Sequence, residues 1–108
     1  GHTGNLKAAI DACEFADVEL KRIYELIKKK NGILMVTADH GNVEEMLDPK
    51  TGEIDTEHST NPVPFILVNG PEIKNIKHNG VLADIAPTIL RLINIRKPQE
   101  MTGEPLIS

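Results

Sequence analysis

Ile33-Leu34-Met35-Val36-Thr37-Ala38-Asp39-His40-Gly41-Asn42 is an apolar run that ends in a carboxylate, an imidazole and two turn-forming residues. Residues 33–38 read as a buried strand, and Gly41-Asn42 supplies the permissive backbone that ends it. Neighbouring side chains on an extended strand point to opposite faces, so Asp39 and His40 can meet one ligand only from a turn. The stretch therefore predicts a carboxylate and an imidazole at the carboxyl end of a strand, where open α/β sheets place their ligands.

Upstream, Leu6, Ala9, Ile10, Cys13, Ala16, Leu20, Ile23, Tyr24 and Ile27 recur every three or four residues, which predicts an amphipathic helix over 5–29 with Asn31-Gly32 as its stop. Cys13 falls on the apolar stripe and reads as a small buried hydrophobe. Lys28, Lys29 and Lys30 occupy the last turn, where cations oppose the helix dipole. Downstream, a short helical turn is expected over 43–47, an exposed loop or loose hairpin over 50–60, a second buried strand over 65–68 and a short edge strand over 73–76. A helix from Leu82 or Ala83 to Ile93 tolerates Pro87 only in its first turn. The Pro- and Gly-punctuated tail from Arg96 to Ser108 is expected on the surface. Helix, strand, turn, strand, helix in this order predicts an α/β layer with parallel strands. So thin a parallel sheet leaves its faces poorly covered, and the chain reads as part of a larger sheet.

The chain has 108 residues, a formal net charge of −4, one Tyr, two Phe and no Trp. One domain with an aliphatic core fits that length, and the acidic balance argues against nucleic acid as a partner. One cysteine permits no disulfide within the chain. No stretch is apolar enough to span a bilayer and no signal peptide is evident, so a soluble, cytoplasmic protein without a membrane partner is expected. An opening at Gly1, inside a Gly-rich turn, reads as a piece of something longer.

Two further histidines sit beside element ends, His2 in Gly1-His2-Thr3-Gly4 and His58 in the polar loop before Asn61-Pro62-Val63-Pro64. With Asp39 and His40 they form a donor set suited to zinc or manganese, since magnesium and calcium favour oxygen throughout. One site or two would use them. Taken singly, each has a plainer reading: Asp39 as a turn cap, His40 as a surface imidazole, His2 as a mobile terminus, His58 as a loop residue. His78 has no partner signal and reads as solvated. Glu44 and Glu45 read as support for a helix start, with orientation of an imidazole as the alternative. No P-loop and no Gly-x-Ser-x-Gly elbow is present, and Ser59 beside His58 is poorly placed for a nucleophile and base.

Gly1-His2-Thr3-Gly4-Asn5, Thr37-Ala38-Asp39-His40-Gly41-Asn42, His58 with Thr60-Asn61-Pro62-Val63-Pro64-Phe65, and Leu82-Ala83-Asp84-Ile85-Ala86-Pro87-Thr88 stand in an order that resembles the carboxyl-terminal part of the cofactor-independent (2,3-bisphosphoglycerate-independent) phosphoglycerate mutases of the alkaline phosphatase superfamily. The resemblance runs nearly end to end. It implies a partial alkaline-phosphatase-like sheet, mostly parallel and flanked by helices. It also implies a site for two manganese ions, Mn2+, with Asp39 and His40 on one and His2 and His58 on the other. The implied reaction interconverts 3-phosphoglycerate and 2-phosphoglycerate through a phosphoserine. The nucleophilic Ser, two Asp ligands and the substrate-gripping domain of that family have no counterpart in these residues. Alone, the chain is therefore expected to be inactive, to hold metal weakly or not at all, to depend on the remainder of the enzyme, and to self-associate through uncovered apolar surface. The alternatives are another enzyme of that superfamily, such as a phosphopentomutase or a phosphatase, and a non-catalytic metal-binding or interaction module.

Overall fold

The computed structural model describes residues 1–73 and 75–108, which divide into two compact units, Gly1–Asn69 and Gly70–Ser108. The first unit opens with a turn closed by the Gly4 N–H donating to the Gly1 carbonyl at 2.9 Å. Gly4 has φ 63°, and a Cβ there would overlap the Ile54 side chain, so only glycine fits. Helix α1 follows over Leu6–Lys29, with Asn5 as its cap accepting from the Ala8 N–H at 3.0 Å. Its carboxyl end is a Schellman turn: Gly32 N–H donates to the Ile27 carbonyl at 2.9 Å and Asn31 N–H to the Lys28 carbonyl at 3.1 Å. The left-handed residue is Asn31, at φ 52°, rather than the neighbouring glycine.

The helix forms as its periodicity predicts, but the face that periodicity marks is only partly covered: Leu20, Tyr24 and Ile27 are half-buried, while Leu6, Ile10, Ala16 and Ile23 are exposed. Ala9 is its only buried residue, and three large apolar side chains off that stripe, Phe15, Val18 and Leu26, are exposed as well. Cys13 is exposed too, correcting the expectation of a buried thiol: the pattern identifies the apolar side of a helix, not whether anything covers it.

Strands β1, Leu34–Thr37, and β2, Phe65–Val68, pair antiparallel with Leu34 opposite Val68 and Thr37 opposite Phe65. The parallel pairing expected from the element order does not hold for these two strands. A parallel return needs a crossover of a dozen or more residues, usually helical. The chain between them instead continues the ladder outward as an irregular hairpin, with isolated antiparallel bridges Gly41–Ser59 and Leu47–Ile54. The helical turn expected over 43–47 is a single tight turn, closed by Glu45 N–H to the Asn42 carbonyl at 3.2 Å. At the tip, the Asp48 carboxylate accepts from the N–H groups of Lys50 and Thr51 at 2.7 and 3.2 Å, and Gly52 turns the chain at φ 72°. Apart from exposed Thr37 and Ile66, the strands are half-buried rather than buried.

In the second unit a 3-10 turn, Leu82–Asp84, leads into helix α2, Ile85–Leu92, with Pro87 in its first turn as expected. Asn94, at φ 56°, ends α2 in a second Schellman turn through Ile95 N–H to the Leu90 carbonyl at 2.8 Å. The tail lies on the surface only in part: Arg96, Pro98, Gln99 and Glu100 are exposed, but its end turns inward. Gly103, Leu106 and Ile107 are buried, and Ile107 bridges to Ile76. The edge strand expected over 73–76 falls partly outside the described residues. Lys77 N–H donates to the Leu106 carbonyl at 2.8 Å and Ser108 N–H to the Asn75 carbonyl at 3.2 Å, so the end of the tail is held by a single antiparallel bridge.

Asp84, Thr88 and Lys97 fasten this tail. The Asp84 carboxylate accepts from Val81 N–H at 3.1 Å and Glu104 N–H at 2.8 Å. The fully buried Thr88 hydroxyl donates to the Asp84 carbonyl at 2.6 Å and accepts from Leu106 N–H at 2.9 Å. Lys97 donates to the carbonyls of Met101 and Gly103 and to the Glu104 carboxylate at 3.0, 2.8 and 2.7 Å. Residues 82–88 thus form the latch that anchors the tail.

Candidate metal centre

The ladder from β1 and β2 to the Gly41–Ser59 bridge is interrupted by residues 38–40 on one limb and 60–64 on the other. Pro62 and Pro64 carry no N–H to donate, so pairing fails there for a chemical reason. An uneven gap of this kind bends the strand and re-aims its side chains. It answers the geometric difficulty of placing Asp39 and His40 on the same side: both lie within the interruption.

The three imidazoles come together. The rings of His40 and His58 stack with centroids 3.5 Å apart and planes 16° from parallel, and the His2 ring lies 5.1 Å from that of His58. Asp39 Oδ1 is 3.6 Å from His40 Nε2 and accepts from the His40 N–H at 3.1 Å. All four side chains singled out in the sequence therefore meet on the first unit, across sequence separations of up to 56 residues. His2 is tied to the far limb: its Nδ1 donates to the Thr56 carbonyl at 2.9 Å.

Each of two rings has one nitrogen committed to a carbonyl. Nδ1 of His2 faces Thr56 O, and Nδ1 of His40 faces Gly41 O at 3.0 Å. A carbonyl only accepts, so both rings carry the Nδ1 proton and leave the Nε2 lone pair available. Metal-binding histidines are commonly oriented in this way. Imidazole and carboxylate donors in this state suit a borderline divalent cation. Among the described residues, however, no three His, Cys, Asp or Glu side chains are arranged to enclose one ion. The donors are thus present and close, without a closed shell among the described residues.

Sequence reasoning understated what surrounds these rings. Glu44, Ser59, Asn61 and Asn42 tie the two limbs together. The Ser59 hydroxyl donates to Glu44 Oε1, which also takes Asn61 Nδ2 at 3.3 Å; Asn42 N–H donates to Glu44 Oε2 at 2.7 Å; and Asn42 Nδ2 donates to the Glu57 carbonyl at 2.9 Å. The Ser59 hydroxyl, the Asn42 amide and other local donors lower the Glu44 pKa from 4.5 to about 2. Glu44 therefore does not start a helix. Its placement opposite Ser59 could be read only once the hairpin register was known. His78 lies on the second unit and is exposed.

Comparison with known proteins agrees with this chemistry. The chain is 53% identical over 107 residues to the 2,3-bisphosphoglycerate-independent phosphoglycerate mutase of Agrobacterium fabrum, covering 99% of this chain and 21% of that protein. It is 55% identical over 107 residues to the enzyme of that name from Cereibacter sphaeroides, again covering 99% and 21%. Its fold matches a phosphoglycerate mutase of Leishmania mexicana, whose crystal structures are described at low cobalt concentration, with a TM-score of 0.84 and 28% identity over 99% of this chain and 22% of that one. The chain spans about a fifth of the length of the relatives it matches. No helix among the described residues is long and apolar enough to cross a membrane. Residues 1–97 match the description "metalloenzyme superfamily", and the chain belongs to that superfamily.

Proposed function

We propose that this chain is the metal-binding part of a cytoplasmic phosphoglycerate mutase that interconverts 3-phosphoglycerate and 2-phosphoglycerate through a phosphoserine. Asp39 and His40 form one half-shell and His2 and His58 the other, with manganese as the resident cation. The remainder of the enzyme supplies the nucleophile, the missing ligands and the grip on the substrate. β1 and β2 then belong to a larger, mostly parallel sheet, and the open face of α1 is covered by that remainder. What supports this reading above all is the meeting of His2, His40 and His58, remote in sequence, beside Asp39.

A divalent cation here supplies charge neutralisation for a transferring phosphoryl group. The chain's own residues hold the Nε2 lone pairs in place: the Thr56 and Gly41 carbonyls fix the tautomer and rotation of two rings. Replacing the matching segment of the Agrobacterium fabrum enzyme with this chain tests the proposal. The chimera is expected to retain mutase turnover, and His58→Ala in it to lower kcat at least ~100-fold, the upper range for disturbing a metal shell. A folded chimera without turnover, or one indifferent to His58→Ala, would sink the reading.

A further inference from the structure

From the ties between the hairpin limbs we infer that Glu44 is a positioning residue, holding His40 and His58 face to face by clamping residues 41–44 to residues 59–61. Its effect on metal affinity rests on the function proposed above; its effect on the rings does not. The clamp sits close to both rings in the chain: Ser59 follows His58, and Asn42 stands two residues after His40. Glu44 Oε1 takes the Ser59 hydroxyl and Asn61 Nδ2 from the far limb, while Oε2 takes the Asn42 N–H from its own. Asn61 Nδ2 also donates to Glu45 Oε2 at 2.8 Å, so two adjacent carboxylates share one amide.

Gly41 shows how close the limbs come. A Cβ at that position would overlap both the Glu44 carboxylate and the Ser59 hydroxyl, and Gly41 is buried although its surroundings are polar. Its carbonyl accepts twice, from Ser59 N–H at 3.0 Å and from His40 Nδ1 at 3.0 Å. The contact that registers the limbs and the contact that sets the His40 ring thus share one oxygen. If the limbs separate, the His40 ring loses its stacking partner, and the Gly41 carbonyl that orients it loses the Ser59 N–H that fixes its own position. The low pKa of Glu44 keeps the clamp charged at neutral pH, and charge-assisted hydrogen bonds are the stronger kind.

The test reads the rings without metal first. In the chain, nuclear Overhauser contacts between the His40 and His58 rings are expected in the wild type and in a hairpin-tip control, Lys50→Ala. They are expected to vanish in Glu44→Ala and Ser59→Ala and to be kept in Ser59→Thr, which retains the hydroxyl. Inter-ring contacts that persist in a folded Glu44→Ala overturn the clamp. Should that variant fail to fold, their persistence in Ser59→Ala overturns it equally. Manganese titration forms the second arm. Glu44→Ala is expected to bind Mn2+ ~10- to 100-fold more weakly, as for other partners that orient metal ligands, with Ser59→Ala adding little to it. Rings that separate while Mn2+ affinity is unchanged overturn the link from clamp to metal. If instead the wild type binds Mn2+ no better than His40→Ala, the metal reading falls and the clamp stands.

Discussion

The hairpin arm that carries His40 and His58 and the unit that carries the tail both use a carboxylate to gather donors from separate parts of the chain, yet they place it in opposite surroundings. Asp84 is buried, its carboxylate receives two backbone N–H groups, and its carbonyl receives the hydroxyl of the fully buried Thr88, which in turn accepts from the N–H of buried Leu106. Glu44 is exposed and receives a hydroxyl, a side-chain amide and one backbone N–H. The first arrangement holds apolar burial in place, so stability depends on it. The second holds two imidazoles, those of His40 and His58, face to face, so geometry depends on it and stability hardly does. Substitutions in the two regions should therefore separate into those that unfold and those that disarrange.

The largest effect is expected at Gly103. A Cβ there would overlap the Ala83 carbonyl, which is backbone and cannot move aside cheaply, so Gly103→Ala should displace the tail and abolish its protection in hydrogen exchange. Leu106→Ala should follow at ~2–5 kcal/mol by urea unfolding, the usual cost of emptying a buried leucine site. Thr88→Val keeps the shape but strands the Leu106 N–H without its acceptor, which should cost ~1–3 kcal/mol. A Thr88→Val variant as stable as the wild type would show that the tail relaxes to find another partner, and the contrast with the arm would weaken.

Legibility in the sequence divides along the same line. Period and caps gave α1 and α2 nearly to the residue, because Asn5, the Asn31-Gly32 stop and a first-turn Pro87 act locally. The strands 34–37 and 65–68 were equally local. Their antiparallel pairing was not, since it depends on a 27-residue excursion folding back on itself through Gly41–Ser59 and Leu47–Ile54. The candidate ligands were legible as residue types at element ends, and their meeting in space was an expectation drawn from resemblance. The clamp was invisible because a Glu and a Ser 15 positions apart carry no sequence sign of being partners. The buried tail was missed for a related reason: its prolines and glycines signal loops, whereas its burial comes from Leu106 and Ile107 meeting residues 75–77 and 88.

A smaller effect, in a third setting, comes from α1, which exposes large apolar side chains, Phe15 the most of them. Phe15→Ser should change the unfolding free energy by no more than ~0.5 kcal/mol, as for surface positions generally. It should nonetheless lower self-association in sedimentation, because an exposed apolar face drives contact between copies. A compact monomer at every concentration in the wild type would argue against that face being sticky at all.

The smallest expected effect is also the most direct probe of the contrast between Glu44 and Asp84. Both carboxyls are held below their ordinary values: Glu44 first by the Ser59 hydroxyl, to about 2, and Asp84 first by the Glu104 N–H and then by that of Val81. A carboxyl whose pKa is lower in the folded state stabilises that state above its unfolded pKa, and the contribution disappears as pH falls through the folded one. For Glu44 this window runs from 4.5 down to about 2. The Asn42 amide resonance, bonded to Glu44 Oε2, should therefore hold steady from neutral pH to below 4.5 and move only on further acidification, with its midpoint absent in Glu44→Gln. Global unfolding should follow Asp84 instead, because protonating a buried acceptor of two backbone donors releases the tail, whereas protonating Glu44 releases only the limbs of an exposed hairpin. An Asn42 midpoint at the ordinary value near 4.5 would mean that the Ser59 and Asn42 donors do not hold the carboxylate in solution, and the arm would then have no clamp to compare with the latch.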